Sequence, residues 1–315
     1  MSGNLLIVAG EHSGDALGGP LASEILDRKN IKLWGYGGPR MKDAGVEILT
    51  GVEELSVMGF TEVIAHLPAM LKRLRNLPRE AEERGADGAI LIDYPGFNIR
   101  LAGRLAKRGI PVIYYVSPQL WAWKPRRMKK IARSVSRMLV ILPFEKKLYE
   151  DSGVPVEYVG HPFVDSVRPE IPAEKFREKL GISGPLLLLL PGSRRQEVER
   201  LVTPMASAFR ILRRDIPGLR GVAVAPPGLP DELYSPIGKI PEITLIREGI
   251  NDVLFAADAA LVCSGSTTLQ CAVAGLPHAV TYRTGAVSGA IYRRVIRTEF
   301  VGLSNLVAGR EVAPE

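Results

Sequence analysis

Leu186-Leu187-Leu188-Leu189-Leu190-Pro191-Gly192-Ser193-Arg194 is the stretch on which the fold turns. Five successive leucines read as a strand buried on both faces, as in a parallel sheet. The chain then passes through a turn into a charged, helix-like segment. Gly192 lets backbone approach a ligand closely, and Ser193 is placed to cap the following helix. A helix N-terminus presents unpaired N–H groups and a positive dipole end to an anion, and Arg194 adds a planar fork that fits a phosphate. The same tetrapeptide also fits an ordinary strand-to-helix turn with a surface arginine, so the rest of the chain must choose between them.

Working outward, the first half alternates strand-like and helix-like runs: 5–8 then 16–26, 32–35 then 40–44, 89–92 then 100–107, 112–116 then a basic helix, 138–142 then 145–151. Such alternation specifies βαβ units and a parallel sheet. Gly109-Ile110-Pro111 and Gly153-Val154-Pro155 supply helix stops between successive elements. After a proline-rich link at 162–172 a second series begins, with strands at 186–190, 221–225, 243–246, 259–262 and 278–282 separated by helices. The expected fold is α/β, two open parallel-sheet domains, 1–165 and 166–315. Ligands of such sheets bind beyond the carboxyl ends of the strands, and two facing sheets would enclose a central cleft.

Composition narrows the function. The chain has 315 residues, 46% of them hydrophobic, and a formal charge of +7, so two domains and an anionic partner are expected. No run of apolar residues is long enough to span a bilayer, and the first residues lack a signal-peptide pattern, which places the expected location in the cytoplasm. Cys263 and Cys271 sit in apolar surroundings without metal-ligand spacing and read as buried reduced thiols. Basic residues cluster at 124–130, directly after Trp121-Ala122-Trp123, and at Arg293, Arg294 and Arg297. Both groups are short and interleaved with apolar residues, unlike a nucleic-acid-binding tail.

Several loops after strands carry chemistry. Gly10, Gly14 and Gly18 do not fit the dinucleotide-binding spacing, while Glu11, Ser13 and Asp15 offer polar groups suited to a sugar or phosphate; a capped glycine-rich turn is the competing reading. Asp93 ends an apolar strand, where partial desolvation would raise its pKa toward that of a general base. Ser264-Gly265-Ser266-Thr267-Thr268 repeats the strand, small-polar turn, helix pattern, so two anion-ready helix starts lie in one domain, and Gln270 follows in reach of a ribose hydroxyl. No two aspartates are two positions apart, which removes the usual cation-holding pair of nucleotide-sugar transferases and leaves arginine and helix dipoles to stabilise a leaving diphosphate. His12 and His161 are further acid/base candidates. Residues 57–75 are apolar on one side and basic at the end, as in an interfacial helix or a core helix with a basic rim.

Ten motifs in order resemble the lipid-A-disaccharide synthase family: AGEHSGD (9–15), GGPRM (37–41), ELSVMGFTEV (54–63), DYPGFN (93–98), YVSPQLWAW (115–123), LPFE (142–145), VGHP (159–162), LPGSR (190–194), SGSTTLQ (264–270) and SNLVAG (304–309). The resemblance implies an inverting glycosyltransferase of the two-Rossmann-domain GT-B type, which the missing aspartate pair makes metal-free. It implies that UDP-2,3-diacylglucosamine is joined to 2,3-diacylglucosamine 1-phosphate, releasing UDP and a β-1,6-linked disaccharide. The 1–165 domain would then take the acceptor and lipid, and the 166–315 domain the UDP-sugar. Association with the inner-membrane surface from the cytoplasmic side and a homodimer belong to the same expectation; nucleic acid does not.

On this resemblance Asp93 would deprotonate the acceptor 6-hydroxyl, and Arg194 with the 264–268 helix start would stabilise departing UDP. Glu11 and Ser13 would line the acceptor side, with Gly14 and Asn98 also touching substrate. Gly192, Ser193, Ser264, Gly265, Ser266, Thr267 and Gln270 would cradle the nucleotide, and Asn305 would close it. Three departures stand out: Gly96 where relatives often carry Asp, Gln270 where Glu is usual, and an end at Glu315 where relatives continue with Leu-Leu-Gln and several helices. The last supports an alternative expectation of a truncated, catalytically impaired nucleotide- or lipid-binding protein.

Overall fold

The computed structural model divides into two units, Met1–His161 and Pro162–Glu315. It describes all residues except 1, 2, 29, 56–59, 119–124, 227 and 284–298, and the side chains of 60–66 and 125–127 are likewise outside the description. The Trp121–Trp123 pair, Lys124, Arg126, Arg127 and the arginines at 293, 294 and 297 therefore lie outside the described residues, as does the start of the 57–75 segment.

In the first unit the order is β1 (Gly3–Ala9), α1 (His12–Arg28), β2 (Ile31–Gly37), α2 (Pro39–Asp43), β3 (Glu47–Gly51), α3 (Phe60–Glu83), β4 (Gly88–Ile92), α4 (Pro95–Ala106), β5 (Val112–Tyr115), α5 (Pro125–Ala132), β6 (Arg137–Val140), α6 (Pro143–Glu150) and β7 (Val156–Tyr158). The strands form a parallel sheet in the order β3-β2-β1-β4-β5-β6-β7. The second unit runs α7 (Phe163–Ser166), α8 (Ala173–Lys179), β8 (Leu186–Leu190), α9 (Arg195–Asp215), β9 (Arg220–Val224), α10 (Ser235–Gly238), β10 (Ile243–Ile246), α11 (Ile250–Ala256), β11 (Ala259–Cys263), α12 (Ser266–Val273), β12 (His278–Thr281) and α13 (Leu303–Ala308). Its sheet order is β10-β9-β8-β11-β12.

Why these residues form these sheets is plain from burial. All five residues of β4 and all five leucines of β8 are buried, because helices cover both faces of each sheet. One side of the first sheet holds a cluster around Leu6, Leu91 and Tyr114, the other a cluster around Ile7, Met41 and Ile92. In the second unit Leu187 and Leu189 face one core while Leu186, Leu188 and Leu190 face the other. The period-2 geometry of a strand thus splits one leucine run between two cores. Truncating Leu189, which has no exposure, to Ala should cost about 2–5 kcal/mol.

Topology places the functional loops. In each unit the chain leaves its first strand in one direction and later returns to the other side of it, so the order reverses between β1 and β4 and between β8 and β11. Loops diverge at such a reversal and leave a crevice beyond the strands' carboxyl ends. Both pairs are in parallel register there, Ala9 beside Ile92 and Leu190 beside Val262.

Candidate active site

Beyond β4, Asp93 and Tyr94 both take left-handed backbone, with φ of 45° and 49°. Neither is glycine, so each is strained by about 1–3 kcal/mol and must be held there. Two side chains hold the corner through three hydrogen bonds. The Asn98 amide, fully buried on α4, donates to the Ile92 carbonyl at 3.1 Å and the Asp93 carbonyl at 2.9 Å. Tyr114 donates its hydroxyl to the same Asp93 carbonyl at 2.6 Å. The Asp93 N–H continues the sheet by donating to the Tyr115 carbonyl at 2.9 Å. Asn98, read from the sequence as a substrate contact, is thus placed beneath the corner, and its influence on the crevice passes through the Asp93 backbone.

Burial first and the neighbouring Glu11 charge second raise the Asp93 carboxyl, the Tyr94 backbone N–H opposes them, and the net result is a value pushed up to about 6. Glu11 precedes α1 beyond β1, across the crevice, and is exposed together with Ser13. The other Asp of that loop does something else. Asp15 is 3% exposed and accepts from the backbone N–H groups of Gly38, Arg40 and Met41 at 2.8, 3.1 and 3.0 Å. It caps α2 from α1 and is not available to a ligand.

The glycines of α1 pack rather than bind. A Cβ on Gly14 would meet the Ala9 Cβ at 3.2 Å, and one on Gly18 the Met41 sulfur at 2.6 Å. Spaced four apart, they let one helix face lie on the sheet. Gly14 is buried, and its lack of a Cβ lets α1 pack against β1. Ahead of them, Gly10 carries the Tyr94 ring, whose atoms lie within 2.1–2.5 Å of where a Cβ would stand. Tyr94 also donates its hydroxyl to the Leu55 carbonyl at 2.9 Å.

In the second unit the 191–194 turn has the expected place and an unexpected occupant. Gly192 has φ of 126°, open to glycine. The helix N-cap is Arg194, and the sequence expectation that Ser193 caps it is corrected. Glu197 does so instead, three residues into α9: its Oε2 accepts the backbone N–H groups of Ser193 at 3.1 Å and Arg194 at 3.2 Å. Its Oε1 accepts from the Arg194 guanidinium at 3.3 Å. A carboxylate of the chain itself therefore occupies both backbone donors and the cation expected to meet phosphate. The signal was legible, since Glu three positions after an N-cap is the capping-box spacing.

The 264–267 turn is built otherwise. Gly265 has φ of 154°, and no side chain caps the start of α12. Ser264 donates its hydroxyl to the Val301 carbonyl at 3.3 Å, and buried Thr268 donates to the Gly265 carbonyl at 2.8 Å. Ser266 is exposed, and Thr267 and Gln270 are half-buried on the following turns. Since β8 and β11 are neighbours, this open helix start stands beside the Glu197-filled turn.

Four other residues singled out in the sequence resolve differently. Asn305 is fully buried, donating to the carbonyl of Ala313 at 2.7 Å and to Glu315 Oε1 at 2.8 Å, and accepting from the N–H groups of Val312 at 2.8 Å and Ala313 at 2.9 Å. All its capacity goes to the 312–315 segment, which it clamps against α13. Burial pushes the His161 imidazole down to about 4, leaving it neutral near pH 7 and unsuited to donate a proton as an imidazolium. Cys263 and Cys271 are buried free thiols raised to about 12 by burial.

Comparison with known proteins is decisive about kinship. A family model described as lipid-A-disaccharide synthetase matches residues 5–315. The lipid-A-disaccharide synthase of Anaeromyxobacter sp. (strain K) is 43% identical over 321 residues, covering 100% of this chain and 84% of that protein. The chain belongs to the lipid-A-disaccharide synthase family. Its relative from Myxococcus xanthus is 42% identical, covering 99% of this chain and 82% of the relative, and the one from Coxiella burnetii 37%, covering 99% and 84%. Solved structures agree on the GT-B fold at much lower identity. UDP-GlcNAc 2-epimerase from Neisseria meningitidis bound to UDP-GlcNAc has a TM-score of 0.60 at 13% identity, covering 98% of this chain and 90% of that one. MurG from Acinetobacter baumannii has a TM-score of 0.55 at 15%, covering 93% and 83%. The ten ordered motifs therefore identified the family correctly, and the fold with it.

Proposed function

We propose that this chain transfers the 2,3-diacylglucosaminyl group of UDP-2,3-diacylglucosamine to the 6-hydroxyl of 2,3-diacylglucosamine 1-phosphate, giving the lipid A disaccharide 1-phosphate and UDP. Family membership supports turnover, and the binding-only alternative is not favoured. The observation that carries the site assignment is the strained, clamped corner that presents Asp93 at the first reversal point with a carboxyl raised to about 6. Such a group is ionised at neutral pH yet basic enough to take a proton in the transition state.

In this reading an Asp93 carboxylate oxygen takes the acceptor hydroxyl proton as O6 attacks the anomeric carbon of the donor. The bond from that carbon to the diphosphate oxygen breaks, its electron pair leaves with UDP, and configuration inverts. Arg194, with the N–H groups of the 192–194 turn and the α12 start, receives the charge that develops on UDP. For that to happen Glu197 must rotate away, because one set of donors cannot serve two anions. Glu11 and Ser13 face the acceptor.

Two further elements belong to the same proposal. The protein works at the cytoplasmic surface of the inner membrane, since both substrates are acylated and α3 exposes Leu67 and Leu71, although no helix among the described residues is long and apolar enough to cross a membrane. It assembles as a homodimer, an expectation carried by the family resemblance and checked by light scattering. The test of the reaction is UDP release with both acylated substrates present. Asp93→Asn should lower turnover by roughly 10³-fold with folding intact; near-normal turnover would reject the assignment.

A further inference from the structure

On the first unit, α4 and α5 border a groove of about 830 Å³ that the reaction does not use. Its floor is made by Gly96 and Gly103, where an added Cβ would meet no atom within 4 Å. Its walls carry Arg100, Arg104 and Lys107 from α4 together with Lys130 and Arg133 from the end of α5. Positions 96, 100, 103 and 107 recur at helical spacing, so one stripe of α4 supplies both the floor and the charge.

Two alternatives explain part of this cluster. Arg104 and Lys107 sit at the C-terminal end of α4 and Lys130 in the last turn of α5, where cations complement the helix dipole. Arg133, one residue past α5 as Lys107 is one past α4, falls under the same account, which leaves out Arg100, in mid-helix. The second alternative, a surface laced with ion pairs, holds elsewhere on this unit: Arg28, Arg79, Arg84, Arg108 and Arg137 each meet a glutamate. None of the five groove cations pairs with a described carboxylate, and no carboxylate lines the groove. Five like charges gathered around one concavity repel each other, and a bound anion relieves that repulsion.

The surroundings indicate where the anion comes from. Arg104 donates to the Leu74 carbonyl at 2.8 Å, which fixes the groove beside α3. One to two turns back, α3 exposes Leu67 and Leu71, at 44% and 47%. An apolar edge next to an uncompensated basic concavity suits a headgroup whose acyl chains lie alongside. We infer that this groove binds the phosphate of an anionic lipid, apart from the diphosphate turns of the second unit. The inference rests on the proposed membrane association but not on the glycosyl transfer.

The test is co-sedimentation with vesicles of equal parts phosphatidylcholine and phosphatidylglycerol, and with phosphatidylcholine alone. The triple variant Arg100→Gln, Lys130→Gln, Arg133→Gln spares Arg104, which contacts backbone. A control triple, Arg28→Gln, Arg79→Gln, Arg137→Gln, removes the same charge from paired positions. The groove triple should bind the anionic vesicles at least about tenfold more weakly and with a shallower salt dependence, while the control changes by less than about twofold. Equal losses in both triples would mean that net charge alone is read, and the groove site would be rejected. If the groove triple keeps vesicle binding but loses calorimetric binding of inorganic phosphate, the ligand is soluble and the lipid assignment is wrong. No change in either assay leaves a solvated face and overturns the proposal. Vesicle binding requires no turnover, so failure of the proposed reaction would show separately, in UDP release.

Discussion

The crevice beside β1 and β4 and the crevice beside β8 and β11 arise from the same topological reversal, yet they are finished differently. In the first, the corner is over-determined: Asn98 and Tyr114 hold two carbonyls, and Tyr94 fills the space over Gly10, so the backbone that carries the carboxylate is fixed. In the second, the turn is closed by a single exchangeable side chain, Glu197, over an Arg194 whose side chain is 83% exposed. Rigid placement suits a group that must meet one proton at one distance, and replaceable placement suits a ligand that arrives and leaves each cycle. Both turns follow buried strands; what separates them is whether the occupant is fixed from beneath or borrowed from the next helix.

The largest expected effect tests whether chemistry and nucleotide binding really divide between the units. Asp93→Asn should cut kcat by roughly 10³-fold and leave UDP affinity unchanged, whereas Arg194→Ala should weaken UDP binding as well. Equal loss of UDP affinity in both variants would erase the division. The Asn variant should also be more stable at pH 8. With a folded pKa of about 6 against about 4 unfolded, Asp93 contributes least above pH 6, because the folded state resists ionisation. The stability difference, about 1–2 kcal/mol after solvent screening, should shrink as pH falls through 6 toward 4 in thermal melts.

Next in size is the clamp. Asn98→Ala leaves the Ile92 and Asp93 carbonyls short of a donor and should lower stability by about 2–3 kcal/mol. It should cost roughly 10–100-fold in kcat with little change in KM for the donor; a stability loss with kcat intact would show that the corner needs no support. Smaller still, Glu197→Gln removes the charge that, in the proposed reading, competes with diphosphate. UDP should bind roughly threefold to tenfold more tightly by calorimetry, while the cap, kept by the Gln carbonyl but stripped of charge, weakens by less than about 1 kcal/mol. Weaker UDP binding would mean that Glu197 assists the ligand instead of standing in for it. The smallest effect lies across the first crevice. Glu11→Gln removes the like charge that raises Asp93, so the acidic limb of kcat/KM, expected near pH 6, should move lower by less than about one unit. An unmoved limb would assign it to another group.

Much of this was legible beforehand. Buried strands such as β4 and β8 are uniformly apolar, and that pattern alone gave the parallel sheets and the loops that carry Asp93 and Arg194. The edge strands β3 and β7 escaped because none of their residues is fully buried and their apolar pattern is correspondingly thin. Polar residues misled for a different reason. Asp15, Asn98 and Asn305 have the composition of ligand contacts, and only the fold reveals that Asp15 is taken up by backbone N–H groups of a segment distant in sequence, while the Asn98 and Asn305 amides are turned to backbone groups of nearby residues. Glu197 was overlooked in the opposite sense, since a glutamate among charged helix residues looks like solvent-facing surface until its spacing from Arg194 is counted.

A turn already filled by the chain's own carboxylate sorts its visitors before shape is consulted. A nucleoside or an uncharged isostere of the diphosphate gains nothing from Arg194 while Glu197 stays in place, and it lacks the charge to displace it. Ligand series aimed at this pocket should therefore show affinity rising in a step with the second negative charge, and an uncharged linker should fail however well it copies the length of pyrophosphate.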